Sequence, residues 1–174
     1  MPKTERDEEY KERLRASEER LRLGEIAGGI ATFEYDYANS SWNWSAQAAV
    51  IFGLDEQRFD HWEKAVFFDD VPKIRAAVEG ATAGGNLYVE FRVRYDDESV
   101  HWIAANGQIA SGSSKRLLRG AIYEISARKA LEVRLLALNE TLEARVAELR
   151  QEARYLEVLN DTGSLLLPNV ISRR

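Results

Sequence analysis

Residues 86–129 read NLYVEFRVRYDDESVHWIAANGQIASGSSKRLLRGAIYEISARK, three strand-like runs that pass directly into a helical one. From Leu87 to Tyr95 the apolar residues Leu87, Val89, Phe91, Val93 and Tyr95 alternate with Tyr88, Glu90, Arg92 and Arg94, so one face of this strand is buried and one is wet. Asp96, Asp97, Glu98 and Ser99 form a tight acidic turn, and Val100 to Ile109 returns antiparallel. Ser111 to Ser114 gives a looser turn before a third strand from Leu117 to Ile125. Both faces of the later strands are partly apolar. Ile103, Ala105 and Ile109 oppose Val100, Trp102 and Ala104, while Leu117, Ala121, Tyr123 and Ile125 oppose Leu118 and Ile122. A sheet open on one side alternates more cleanly, so the N-terminal helix or a partner chain is expected to cover the outer face.

Two segments carry a family resemblance. DDESVHWIAANGQI followed by RGAIYEISARKALE resembles the end of a PAS domain with its PAC motif, as in bacterial sensor proteins of the histidine kinase type. Glu124, Ile125 and Ser126 stand where that family has Asp-Ile-Thr, and Glu98 stands where its turn has glycine. Upstream, TFEYDYANSSWNWSAQAAVIFGLD is similar to the opening of the same domain. The resemblance implies an α+β PAS fold, a five-stranded antiparallel sheet in the order 2-1-5-4-3 with short helices on one face. It also implies a cavity that holds a ligand, haem, flavin or nothing.

Composition narrows the function. The chain has 174 residues, 24 Lys and Arg against 29 Asp and Glu, and no cysteine. That length suits one domain of about 100 residues with helical flanks. From Ile26 to Ser126 nine basic residues face fourteen acidic ones, which argues against nucleic-acid binding. No apolar run approaches the roughly 20 residues that span a bilayer, and the start MPKTERDEEYKERLR is not a signal peptide, so a cytoplasmic location is expected.

Four parts are expected: an amphipathic helix over 1–27, a PAS domain over 28–126, a coiled-coil signalling helix over 127–160, and the start of a truncated following segment over 161–174. In the first, Tyr10, Leu14, Ser17 and Leu21 have heptad spacing, and Gly28 and Gly29 end the helix. Ile30 to Asp36 and Trp42 to Trp44 read as a hairpin, with Ser45 as N-cap of a helix ending at Gly53. Asp60 and Glu63 have capping-box spacing before Ala65 and Val66. Asp69 or Asp70 caps a principal helix with Pro72 in its first turn and Ile74, Ala77, Val78 and Ala81 on one face. Beyond Ala127, Leu131, Leu135, Leu138 and Leu142 keep 4-3-4 spacing, and Val146, Leu149, Ala153 and Leu156 resume it after a stutter. Asp161, Thr162 and Gly163 are expected to end this helix.

Catalytic and metal constellations are absent from the pattern. His61 and His101 have no partner at ligand or triad spacing, helix capping accounts for Asp69 and Asp70, and there is no phosphate-binding glycine loop. The chain is therefore expected to be no enzyme, while the resemblance is to sensor modules of histidine kinases. Lack of cysteine excludes a cysteinyl-flavin adduct, and lack of histidine in Val71 to Thr82 argues against haem. A loosely held flavin or a small apolar ligand remains open, with no cofactor as the main expectation. Phe33, Tyr35, Val50, Val78, Val89, Phe91 and Val93 are the candidate cavity lining, with packed core as the alternative. Glu124, Ile125 and Ser126 are the candidate signal junction, Ser126 as N-cap and Glu124 bonding the backbone or a basic residue such as Arg128. The expected partners are a second copy, paired through both terminal helices, and an output domain outside this chain. A ligand-free dimerisation module is the alternative function.

Overall fold

The computed structural model describes residues 3–55, 58–110 and 116–164. The expected turn at Ser111 to Ser114 and most of the expected following segment lie outside these residues. In order come α1 (Lys3–Gly28), β1 (Ile30–Asp36), β2 (Ser41–Trp44), α2 (Gln47–Phe52), 3-10 turns at Phe59–Lys64 and Phe68–Asp70, α3 (Val71–Gly84), β3 (Asn86–Arg94), β4 (Val100–Ile109), β5 (Leu117–Glu124) and α4 (Ser126–Ser164). The strands form one antiparallel sheet in the order β2-β1-β5-β4-β3, the order the resemblance implied. The chain divides into two compact units between Ser126 and Ala127.

Period two sets the inner face of the sheet. Phe33, Val89, Phe91, Ile103, Leu118 and Ile122 pack there against Phe52 of α2, Trp62 of the first 3-10 turn and Val78 of α3. At its centre Gly107 pairs with Gly120 across β4 and β5, and the Phe33 ring rests on their bare backbone. A Cβ on Gly120 would fall 2.1 Å from the Asn106 carbonyl oxygen and 2.6 Å from Phe33 Cζ. The void left beneath the sheet is only about 10 Å³, barely room for one water.

Several local expectations change once side chains are placed. Ser45 does not cap α2; its Oγ accepts the Thr32 N–H at 3.1 Å and so pins the end of β2 to β1. The segment from Phe59 to Lys64 is 3-10 rather than α, with no side-chain cap from Asp60. Asp70 precedes α3 without capping it. Its carboxylate is wholly buried and instead receives the backbone N–H of Arg92 at 3.0 Å, Arg92 Nε at 2.7 Å, Arg92 Nη2 at 3.1 Å and Lys73 Nζ. Asp161, Thr162 and Gly163 do not end α4, which continues to Ser164. Helix α1 touches the sheet near its end, where Thr32 Oγ1 donates to the buried Glu25 at 2.6 Å, while Tyr10, Leu14 and Leu21 are exposed. On the outer face Ala104, Leu117 and Ile125 are buried but Tyr88 and Val100 are not.

The turn between β3 and β4 shows why glycine is usual there. Glu98 has φ of 66°, a left-handed backbone that crowds the Cβ of any L-residue.

Candidate functional site

Two places in the first unit concentrate unusual side chains. One is a cleft of about 240 Å³ at the β1–β2 edge, between the hairpin, the first 3-10 turn and α3. Pairing of β1 with β2 sets Tyr35 opposite Trp42 and Phe33 opposite Trp44, so four rings share the inner face. Trp42 and Trp44 stack at 5.1 Å, Tyr35 lies 4.6 Å from Trp42, and Trp62 meets Trp42 edge-on at 5.8 Å. Tyr37 extends the row, 5.0 Å from Tyr35, and its hydroxyl donates to the Val78 carbonyl of α3 at 2.6 Å. Burial raises the Tyr37 phenol, against the lowering influence of Arg116, so it stays neutral as a donor. The opposite wall is aliphatic, from Val66, Val71, Ile74 and Val78. Ser40, Glu63, Arg75 and Glu79 complete the lining, and no side-chain partner is found for the three charges among the described residues. Trp44 Nε1, in the adjoining ring cluster, is a buried donor that likewise lacks a partner among the described residues.

The candidate lining residues are thus divided. Tyr35 and Val78 line the cleft, whereas Phe33, Val89 and Phe91, again with Val78, surround the 10 Å³ interior void. Val93 is fully buried and bridges to Val66. Val50 is a correction: α2 buries Ala48, Ala49, Ile51 and Phe52, which turns Val50 outward to 63 % exposure. Tyr37, Trp42 and Trp62 were missed, although the dense aromatic run from Phe33 to Trp44 was a usable signal.

The second place is the end of β5. Ile125 N–H donates to the Trp102 carbonyl at 2.7 Å, and Ser126 Oγ accepts the Trp102 N–H at 2.9 Å, so pairing with β4 continues through the first residue of α4. The Ser126 hydroxyl thus takes part in the bonding of the sheet. The basic partner of Glu124 is His101, whose Nδ1 lies 2.7 Å from Glu124 Oε1. Burial works to raise the Glu124 carboxyl, but hydrogen bonds from His101 and Ser126 outweigh it and hold the group below its ordinary value. His101 stacks on Tyr95 at 3.7 Å, and Tyr95 donates to the Ile51 carbonyl of α2 at 2.8 Å. Burial, then the charges of Glu124 and Asp97, push Tyr95 up to about 12.

The ring also reaches Ser99, with Nε2 2.9 Å from Oγ. Ser99, His101 and Glu124 thus follow the order of a nucleophile, base and acid, a constellation that sequence spacing did not reveal. Proton bookkeeping assigns it another role. Ser99 Oγ donates to Asp97, whose carboxyl this bond lowers, so its proton is directed at the acidic turn and not at the His101 ring. The chain of bonds is a strut between the acidic turn and the junction.

In α4, Leu131, Leu135, Leu138, Leu142, Val146, Leu149 and Leu156 are all 45–62 % exposed. Among the described residues no helix is long and apolar enough to cross a membrane, and no group of three or more acidic, histidine or cysteine residues could hold a metal ion.

Known proteins agree with this geometry. Residues 41–121 match the PAS_3 family model, described as PAS fold. A sensory box histidine kinase/response regulator from Burkholderia thailandensis E264 is 22 % identical with a TM-score of 0.56, covering 71 % of this chain and 98 % of that one. An RNA-binding light-oxygen-voltage receptor is 17 % identical with a TM-score of 0.50, covering 71 % of this chain and 36 % of that one. The sheet and its helices have the PAS fold. No curated protein matches the sequence.

Proposed function

We propose that this chain is the sensory PAS module of a bacterial, cytoplasmic signal-transduction protein, a homodimer that passes its signal through α4 to an output domain. The observation that carries the reading is the double hydrogen bonding of Trp102 to Ile125 and Ser126, which makes the end of β5 and the start of α4 one structural piece. A shift of β5 is then a shift of the helix start. Dimerisation through α4 is supported by its exposed apolar stripe, which a second copy would cover. The stutter after Leu142 gives the paired helices two packings of similar stability. The module is read as a sensor and not as an enzyme.

The test is Glu124→Ala, with spin labels at Ala137 and Ala147 of both copies. The fold and dimer should persist while the inter-label distances cease to respond to the sensor. A second reading, a ligand-free dimerisation module, is favoured by the 10 Å³ interior. Native mass spectrometry separates the two, because a bound small molecule belongs only to the first.

A further inference from the structure

We infer that the cleft at the β1–β2 edge binds a small organic cation, a quaternary or methylated ammonium, as the input of the proposed sensory module. The interior beneath the sheet has no room for a ligand at about 10 Å³, while the cleft offers about 240 Å³. That is just below the roughly 300–1,000 Å³ of sites for drug-sized molecules, so the occupant is smaller. Tyr35, Tyr37, Trp42 and Trp62 supply ring surface whose quadrupole attracts a positive charge, most strongly where water is excluded. The protein uses this attraction already: the Arg116 guanidinium lies 5.8 Å from the Tyr37 centroid.

Charge selects the same class. Among the residues that line the cleft, Glu63 and Glu79 outnumber Arg75, and no partner is found for these side chains among the described residues, while the Arg116 guanidinium lies outside the lining and is bonded to the Thr82 carbonyl. An anionic ligand would meet two carboxylates for one guanidinium. A neutral apolar ligand would leave both carboxylates unanswered. A bulky, weakly hydrated ammonium satisfies rings and carboxylates together, and Arg75 accepts a hydroxyl or carboxylate tail on the same molecule.

Choline and its uncharged carbon isostere, in which a tert-butyl group replaces the trimethylammonium, are the probes. Both are titrated into the intact chain by calorimetry, with tryptophan fluorescence reporting on Trp42 and Trp62. Choline should bind saturably and the isostere at least about tenfold more weakly, a factor the cation–π attraction can supply. Trp42→Ala should abolish binding, and Glu79→Gln, an exposed change that leaves the fold intact, should weaken choline alone by several-fold. Equal affinity for the isostere, no saturable choline binding, or binding unchanged in Glu79→Gln overturns the inference. The identity of the ligand rests on the sensory reading only for its meaning. Choline bound with no response in α4 sinks the sensory reading and leaves the site, while a Glu124-dependent response without choline binding does the converse.

Discussion

The cleft and the junction lie in one small unit, yet they handle polar groups in opposite ways. At the junction His101 is bonded through both ring nitrogens, Glu124 holds His101, and Trp102 uses both backbone groups on Ile125 and Ser126. At the cleft Glu63, Arg75 and Glu79 have no side-chain partner among the described residues, and neither has the buried Trp44 Nε1 in the adjoining ring cluster. A saturated network transmits displacement because each bond has one good geometry, whereas an unsaturated one leaves interactions for something else to complete. In the proposed sensory function the first region would serve output and the second input.

Substitutions should separate saturated groups from free ones. The largest effect is expected at Asp70, a buried carboxylate with four donated hydrogen bonds. Asp70→Ala should cost about 3–5 kcal/mol in urea unfolding, because the Arg92 guanidinium beneath it loses its counter-charge. Arg92 above all, with Lys73, holds the Asp70 carboxyl well below the usual carboxylate range. Its stabilisation is therefore complete above the unfolded value of about 3.9 and lost as pH falls through the lower folded value, so the gap between wild type and Asp70→Asn should close in acid. Glu124→Ala should cost about 1 kcal/mol or less, since the pair with His101 is partly solvated, with calorimetric melting as the readout. Glu98→Gly should do the reverse and stabilise by about 0.5–1 kcal/mol, by relieving the left-handed backbone at 66°. Glu63→Gln and Glu79→Gln should change stability by no more than about 0.5 kcal/mol, and a larger loss at either would mean that the cleft is saturated after all.

The sequence carried the sheet but not the sites in full. Alternation from Leu87 to Val93 and the run from Phe33 to Trp44 are period-two signals, so strand identity and inner face were legible, whereas the strand order followed only from the family resemblance. The junction was legible because strand and helix adjoin in sequence at Glu124 to Ser126. Its partners were not. His101 meets Glu124 only because Ile103 sits opposite Glu124 in the β4–β5 register, and register is a property of two strands. Asp70 shows the same limit. Its place before Pro72 reads as a cap, and only folding reveals that β3 brings a guanidinium to it. The cleft depends on Trp62 reaching the hairpin from a 3-10 turn, a long-range contact that local spacing does not encode.

Pulsed electron spin resonance on the proposed dimer labelled at Ala137, and separately at Ala147, tests the claim that the β5–α4 junction conveys the state of the domain. The account predicts that choline shifts or narrows the inter-label distance distributions in the wild type and that Glu124→Ala removes this response while the dimer persists. Distributions that are identical in both proteins, with and without choline, would contradict it and leave the junction a passive linker.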